Sequence, residues 1–234
     1  MSNVRLPGFL KHFVNLFFPD TCHVCRGLLA GQEVFLCSYC QTSLPRTRFH
    51  QHSDNALTRI FWGRVQIQTG TALYHFHKKG GVQRLVHAFK YQGNTRLGEH
   101  LGMLLGRDIK RSPYYGDITA IIPVPLHPDK EKKRGFNQSE VFARGLSATL
   151  SIPCYTDWLV RIIDNPTQTK RSRIDRWENV YSSFKINKPE QVSHAQILLV
   201  DDVITTGATL EACAQELLSV KGARIWIATL AITA

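Results

Sequence analysis

Two adjacent carboxylates, Asp201 and Asp202, stand between an apolar run and a turn of small residues, and that order has a chemical meaning. Residues 197–200 read Ile-Leu-Leu-Val, continuous rather than alternating, the pattern of a central parallel strand buried on both faces. The turn that follows is Thr205, Thr206, Gly207, Ala208 and Thr209. Its small side chains let backbone N–H groups approach an anion closely. Leu210, Cys213, Ala214, Leu217 and Leu218 then recur at helical spacing, with Gly222 as the expected stop. Such a loop at a helix N-terminus suits a phosphate. Acids at the C-terminal end of a strand sit where ligands bind in open α/β sheets. The bland alternative is a solvated acid pair, but acids at a buried strand end are costly without a partner.

A second chemistry lies near the start of the chain. Cys22-x-x-Cys25 and Cys37-x-x-Cys40 supply four thiolates at the spacing of a tetrahedral structural zinc, with Gly27 and Gly31 to ease the turns between them. With four cysteines as ligands, the metal has no open position and no catalytic part. Disulfides or a redox Cys-x-x-Cys are the competing readings, disfavoured by a cytosolic setting and by the matched pairs. Residues 19–45 are too few to bury a core of their own, so metal binding is expected to supply their folding energy.

The elements that must position these groups follow from patterning. The 234 residues suffice for one substantial α/β domain with a small appendage. A charge of +11, from 29 Lys and Arg against 18 Asp and Glu, favours anionic partners such as pyrophosphate or nucleic acid. No stretch has the length of a membrane span. Residues 4–19 place Phe9, Phe13, Leu16 and Phe17 on one helical face, and a cysteine pair follows where a signal peptide would show a cleavage site. The expectation is a short amphipathic helix on a cytoplasmic protein. Residues 45–58 read as a polar linker with His50 and His52 in solvent.

Residues 71–76 read as a strand in which Leu73 alternates with Tyr74 and His75 with Phe76. Val82, Leu85, Val86 and Phe89 mark a helix ending at Lys90, Tyr91, Gln92 and Gly93, and Leu97, Leu101, Leu104 and Leu105 mark the next. A buried strand over 118–122 runs into Pro123-Val124-Pro125-Leu126-His127. The basic stretch 130–138, with Lys132, Lys133, Arg134 and Gln138, has the composition of a mobile loop able to close over a polyanion. Val141, Phe142, Gly145 and Leu146 begin a further helix, and 158–163 and 224–232 read as strands. Cys213 belongs to a helix's apolar face and Cys154 has no evident role. The chain lacks Gly-x-Gly-x-x-Gly and Walker-type patterns, so dinucleotide and NTPase readings have no support.

Residues 197–209 resemble, at every position, the 13-residue signature of type I phosphoribosyltransferases, which bind phosphoribosyl pyrophosphate (PRPP). The pattern Pro-Val-Pro-Leu-His…Arg-Gly-Phe-Asn-Gln over 123–138 is similar to that of the ComF family, the GntX-like group. The Phe-Lys-Tyr triplet at 89–91 and the order Gln168, Arg176, Asn179, Phe184 agree, although Arg171 stands where a leucine is expected and the cluster at 170–173 is unusually basic. The resemblance implies a type I phosphoribosyltransferase fold, a mainly parallel sheet flanked by helices, with a small zinc-ribbon-like module over residues 1–58. The transferase-like domain would cover 59–234, with hood elements at 59–117 and a core at 118–234.

By that resemblance Asp201 and Asp202 hold the ribose hydroxyls, and Thr205, Thr206, Gly207, Ala208 and Thr209 cradle the 5-phosphate. Lys132, Lys133 and Arg134 face the pyrophosphate, and Mg²⁺ rides on substrate oxygens. Lys90, Gln138 and Arg176 are further candidate contacts. The acceptor is unread: Tyr74, Tyr91 and Trp62 would either stack on a base in the hood or simply pack. The family further implies a role in DNA uptake and natural transformation, with single-stranded DNA and a ComF helicase-like protein as partners. Turnover and a non-catalytic accessory role both remain open at this point.

Overall fold

The structure, a computed structural model, describes residues 20–91, 93–162 and 183–233. The cysteine segment carries a helix, α1 (Ser38–Ser43), that starts on Cys37, whose sulfur accepts the Cys40 N–H. Asn55 caps α2 (Ala56–Arg59) and its amide donates to the carbonyl of Gly70, tying this turn to the strand β1 (Gly70–Phe76). The helices α3 (Gly81–Tyr91) and α4 (Thr95–Lys110) follow, the second capped by Asn94. Then come β2 (Ala120–Pro123), α5 (Pro128–Arg134) and α6 (Gln138–Leu150). Strands β3 (Leu159–Arg161) and β4 (Phe184–Ile186) form an antiparallel pair. The chain closes with α7 (Pro189–Val192), β5 (Gln196–Ile204), α8 (Ala208–Leu218) and β6 (Arg224–Thr233).

The main sheet is wholly parallel, in the order β1-β6-β5-β2, so β5 has a strand on either side. Period-two alternation sends Leu198 and Val200 into one apolar layer and Ile197 and Leu199 into the other. All four are fully buried, which explains why this stretch reads as an unbroken apolar run. One layer holds α3, α4, α6 and the cysteine segment; the other holds α2, α8 and the β3–β4 pair. Helices α4 and α6 cross closely because both lack a side chain at the contact. A Cβ on Gly102 would lie 2.2 Å from the Phe142 carbonyl oxygen, and one on Gly145 would lie 2.1 Å from that of Glu99.

Several expectations change. The basic stretch is not a loop: residues 128–134 form α5, started by Pro128 behind a His127 cap and stopped by Gly135 at φ 80°. The first five residues of β1 are all buried rather than alternating, because both its faces are covered. Tyr74 is among them, fully buried, so of its two expected roles it has the packing one. Helix α8 ends at Leu218 and caps on Ser219; Gly222, at φ 79°, instead turns the chain into β6.

Residues 45–55 are no free linker. Arg46 bridges Tyr74 on the outer edge of β1, the His75 N–H donates to the Pro45 carbonyl at 2.8 Å, and His50 is half-buried beside Asp108. The cysteine segment does share a core, since Val24, Leu36 and Leu44 lie in the same layer as α3 and α4. The expected helix at 4–19, Gln168, the basic cluster at 170–173, Arg176, Asn179 and the Tyr91 side chain all lie outside the described residues. Cys213 is fully buried, and burial pushes the Cys154 thiol up to about 11. Among the described residues no helix is long and apolar enough to cross a membrane.

Candidate functional site

Strand β5 continues past its apolar run through Asp201 and Asp202 to Ile204, so both acids are strand residues held in register, Asp201 opposite Thr229. Alternation sends Asp202 to the side where α3 lies, and there Lys90 in the last turn of that helix meets it, Nζ to Oδ2 2.7 Å. Both side chains of this pair are mostly buried, at 19% and 14% exposure. Asp201 Oδ1 accepts two hydrogen bonds of 2.8 Å, from the Ser139 hydroxyl and from the Asp202 N–H. Burial raises the Asp201 carboxyl to about 7, and the neighbouring Asp202 charge adds to the rise; Ser139, the Asp202 N–H and Lys90 pull it back. Asp201 thus holds its proton well above the ordinary carboxylate range.

After Ile204 the chain turns through Thr205, Thr206 and Gly207, and α8 begins at Ala208, so Ala208 and Thr209 are its first residues. Gly207 sits at φ 79°, and a Cβ there would meet Ile60 Cγ2 at 2.9 Å and the Phe61 ring at 3.3 Å. The opening N–H groups of α8 have no intrahelical acceptors. They line, with Asp201, Thr205 and Thr206, a hollow of about 40 Å³. The fold therefore places an anion cradle and a carboxylate pair on the two sides of one turn.

The basic helix meets this frame through its end. Arg134 Nη1 donates to Gln138 Oε1 at 2.7 Å, and Gln138 is buried. The next residue is Ser139, the partner of Asp201. Asn137 anchors this corner to the end of the sheet, donating to the Val124 carbonyl at 3.0 Å and capping α6. Lys132 and Lys133 are exposed on α5, and among the described residues no contact joins them to the acids.

Two functional groups escaped the sequence reading. Ser139 follows the recognised Asn-Gln directly but is a common residue with no spacing to mark it. Arg64 donates to the carbonyls of Thr206 at 2.9 Å and Ile60 at 3.1 Å, and forms an ion pair with the buried Glu211 of α8. It pins the turn from a segment more than a hundred residues upstream. Only folding brings it there. Trp62 beside it is 61% exposed, with the Arg59 guanidinium 5.6 Å over its ring.

At the other candidate site the four sulfurs of Cys22, Cys25, Cys37 and Cys40 all lie within 4.8 Å of one another. Cys25 and Cys37 sulfurs are 3.7 Å apart and none of the four is disulfide-bonded. Metal–sulfur bonds of about 2.3 Å in a tetrahedron put sulfurs about 3.8 Å apart, so the spacing fits a bound metal. The N–H groups of Val24 and Gly27 each point at a cysteine sulfur, at 3.4 Å, as a thiolate shell requires. Burial would raise the Cys22 thiol, but backbone donors including Cys25, Cys37 and Val24 outweigh it and hold it at about 6.

The phosphoribosyl transferase domain family matches residues 116–233. Over 228 residues the chain is 30% identical to competence protein F of Haemophilus influenzae, covering 90% of this chain and 96% of that one. It is 35% identical over 207 residues to competence protein ComFC of Bacillus subtilis, covering 87% and 80%. To the DNA utilization protein YhgH of Escherichia coli strain K12 it is 28% identical over 219 residues, covering 87% and 92%.

Proposed function

We infer the activity of this site from the family to which the chain belongs: it is a phosphoribosyltransferase-domain protein of the ComF family. It binds PRPP at the end of β5, and an acceptor displaces the pyrophosphate from the anomeric carbon. The observation that carries the reading is the carboxylate pair at the mouth of the central strand, with a helix N-terminus on one side and Lys90 on the other.

The parts divide the work by charge. The N–H groups opening α8, with Thr205, Thr206 and Thr209, take the 5-phosphate. The free oxygens of Asp201 and Asp202 take the ribose hydroxyls and face the positive charge that builds on the sugar as the pyrophosphate leaves. Lys90, displaced from Asp202 by the incoming ribose, joins Arg134 and the exposed Lys132 and Lys133 on the departing pyrophosphate. Gln138 and Ser139 hold the frame. Mg²⁺, carried on the oxygens of PRPP, supplies further neutralisation of the leaving group when bound. The four cysteines hold a structural zinc, which organises the entry segment against α3 and α4.

The names of the relatives, competence and DNA utilization proteins, support a role in DNA uptake. In a second reading PRPP binds without transfer and the protein handles single-stranded DNA beside a helicase-like ComF partner. One experiment separates the readings. Purified protein is incubated with PRPP, Mg²⁺ and a panel of bases and oligonucleotides while pyrophosphate is followed. Acceptor-dependent release, abolished in Asp201→Asn/Asp202→Asn, establishes transfer. Binding of PRPP without release, together with salt-sensitive binding of single-stranded DNA, establishes the accessory role. Absence of PRPP binding in calorimetry would sink both.

A further inference from the structure

Along the outer edge of the sheet, beyond β1, the fold builds a second hollow, and a basic one. Helix α4 runs back from the carboxylate end, and its last turn brings Arg107, Asp108 and the C-cap Arg111 beside the segment that carries Arg46, Arg48 and His50. The two stretches are tied together where they meet: Ser112 Oγ donates to the His50 carbonyl at 2.5 Å, and Arg46 pairs with Asp108. The place of the hollow is set by β1: Arg46 bridges Tyr74, which pairs with Ala231 of β6, itself opposite Val203 of β5. The hollow is therefore offset from Asp201 across the sheet, three strand spacings or about 14 Å from β5 to the Arg46 stretch.

The hollow has a volume of about 620 Å³, the size of a small-molecule site rather than of a nucleic-acid track. Four guanidiniums line it against one carboxylate, and that carboxylate is already taken by Arg46, with His50 Nδ1 a further 3.8 Å away. Arg48, Arg107 and Arg111 have no acidic partner among the described residues, and their side chains are exposed to an incoming ligand. Arg48 is held at φ 56°, a left-handed conformation that a non-glycine residue adopts at a cost. The surroundings of His50 report the same excess: burial first, then Arg46, Arg48 and His52, push its proton affinity down against the pull of Asp108.

Cations in the last turn of a helix commonly just answer the helix dipole. Here that explains Arg107 and Arg111 but not Arg46 and Arg48, which arrive from another segment on the far side of the hollow. Among the described residues no Phe, Tyr or Trp lines the space, so it lacks the large stacking platforms with which proteins hold single-stranded bases.

We propose that this hollow is a binding site for a compact polyphosphate, such as the phosphate chain of a nucleoside triphosphate, separate from the PRPP site. Guanidinium forks from two walls converge on one volume, the arrangement that suits several phosphoryl oxygens at once. The site stands whether or not the carboxylate end binds PRPP.

The test is calorimetry on the full chain with inorganic triphosphate as the probe, alongside PRPP with Mg²⁺ and a twelve-residue oligothymidine, for wild type and R107Q/R111Q. Both side chains are exposed, so unchanged melting serves as the folding control. The expected result is a loss of triphosphate affinity of about tenfold or more for each guanidinium removed, with PRPP binding unchanged. R107K/R111K, which keeps the charge but not the fork, falls between. Triphosphate affinity equal in wild type and R107Q/R111Q overturns the proposal. So does a parallel loss of triphosphate and PRPP binding, which would make one site of the two. A loss of oligothymidine affinity with triphosphate binding intact overturns it in favour of a nucleic-acid surface.

Discussion

Replacing Asp201 by asparagine separates what this residue costs the fold from what it contributes to the site. Its carboxyl is raised from the ordinary 3.8 to about 7, by burial and then by Asp202. The folded protein therefore holds this proton more tightly than the unfolded chain. Stability from this group is fully present below about pH 4 and is lost as pH rises through 7. At about 1.4 kcal/mol per unit, ionisation of Asp201 costs the folded state about 4 kcal/mol by pH 8. Asparagine stands in for the protonated acid and carries no such cost.

Asp201→Asn should then match wild type in urea unfolding near pH 4 and exceed it by about 4 kcal/mol at pH 8, the gap opening between those values. The same variant should bind PRPP with Mg²⁺ at least tenfold more weakly in calorimetry, since the neutral amide faces the ribose less favourably. A gain under about 1 kcal/mol at pH 8, or a gain equal at both pH values, would refute the reasoning. The cost of the buried charge would then be balanced already by Lys90 and Ser139 in the free protein.

Gly207→Val forces a branched side chain into left-handed backbone and against Ile60 and Phe61; it should cost about 2 kcal/mol in thermal melts and abolish PRPP binding. Arg64→Ala leaves Glu211 buried without its cation and frees the Thr206 carbonyl, for an expected loss of about 3 kcal/mol and weaker PRPP binding, with Arg64→Lys recovering only part of both. Cys22→Ser/Cys25→Ser should remove about one bound zinc per chain in metal analysis and lower the melting temperature by several degrees, because Val24, Leu36 and Leu44 lose their hold on the shared core. An unchanged melting temperature would show that apolar packing alone holds the segment.

The sequence by itself determined the features that are local in the chain. Strand β5, its acids, the glycine turn and the helix after it are consecutive residues, and their order carries the site because a parallel strand must end where a ligand can reach. The cysteine spacing likewise stands without tertiary help, since two short knuckles suffice to bring four sulfurs together. What only the fold decided are the groups that arrive from elsewhere. Lys90 reaches Asp202 because α3 lies on that face of β5, and Ser139 reaches Asp201 because α4 and α6 cross at Gly102 and Gly145 closely enough to set α6 beside the strand.

Arg64 is far along the chain from Thr206, and the two arginine pairs of the hollow beside β1, Arg46 with Arg48 and Arg107 with Arg111, lie tens of residues apart, so no spacing rule links them. Composition also misled where context overruled it. The lysine-rich stretch looked like a loop, yet His127, Pro128 and Gly135 are the cap, start and stop of a helix. Tyr74 had two readings, stacking and packing, and a strand covered on both faces decides for packing. Local chemistry can be read along the chain; convergence on a point in space depends on packing, and packing is set by all the layers together.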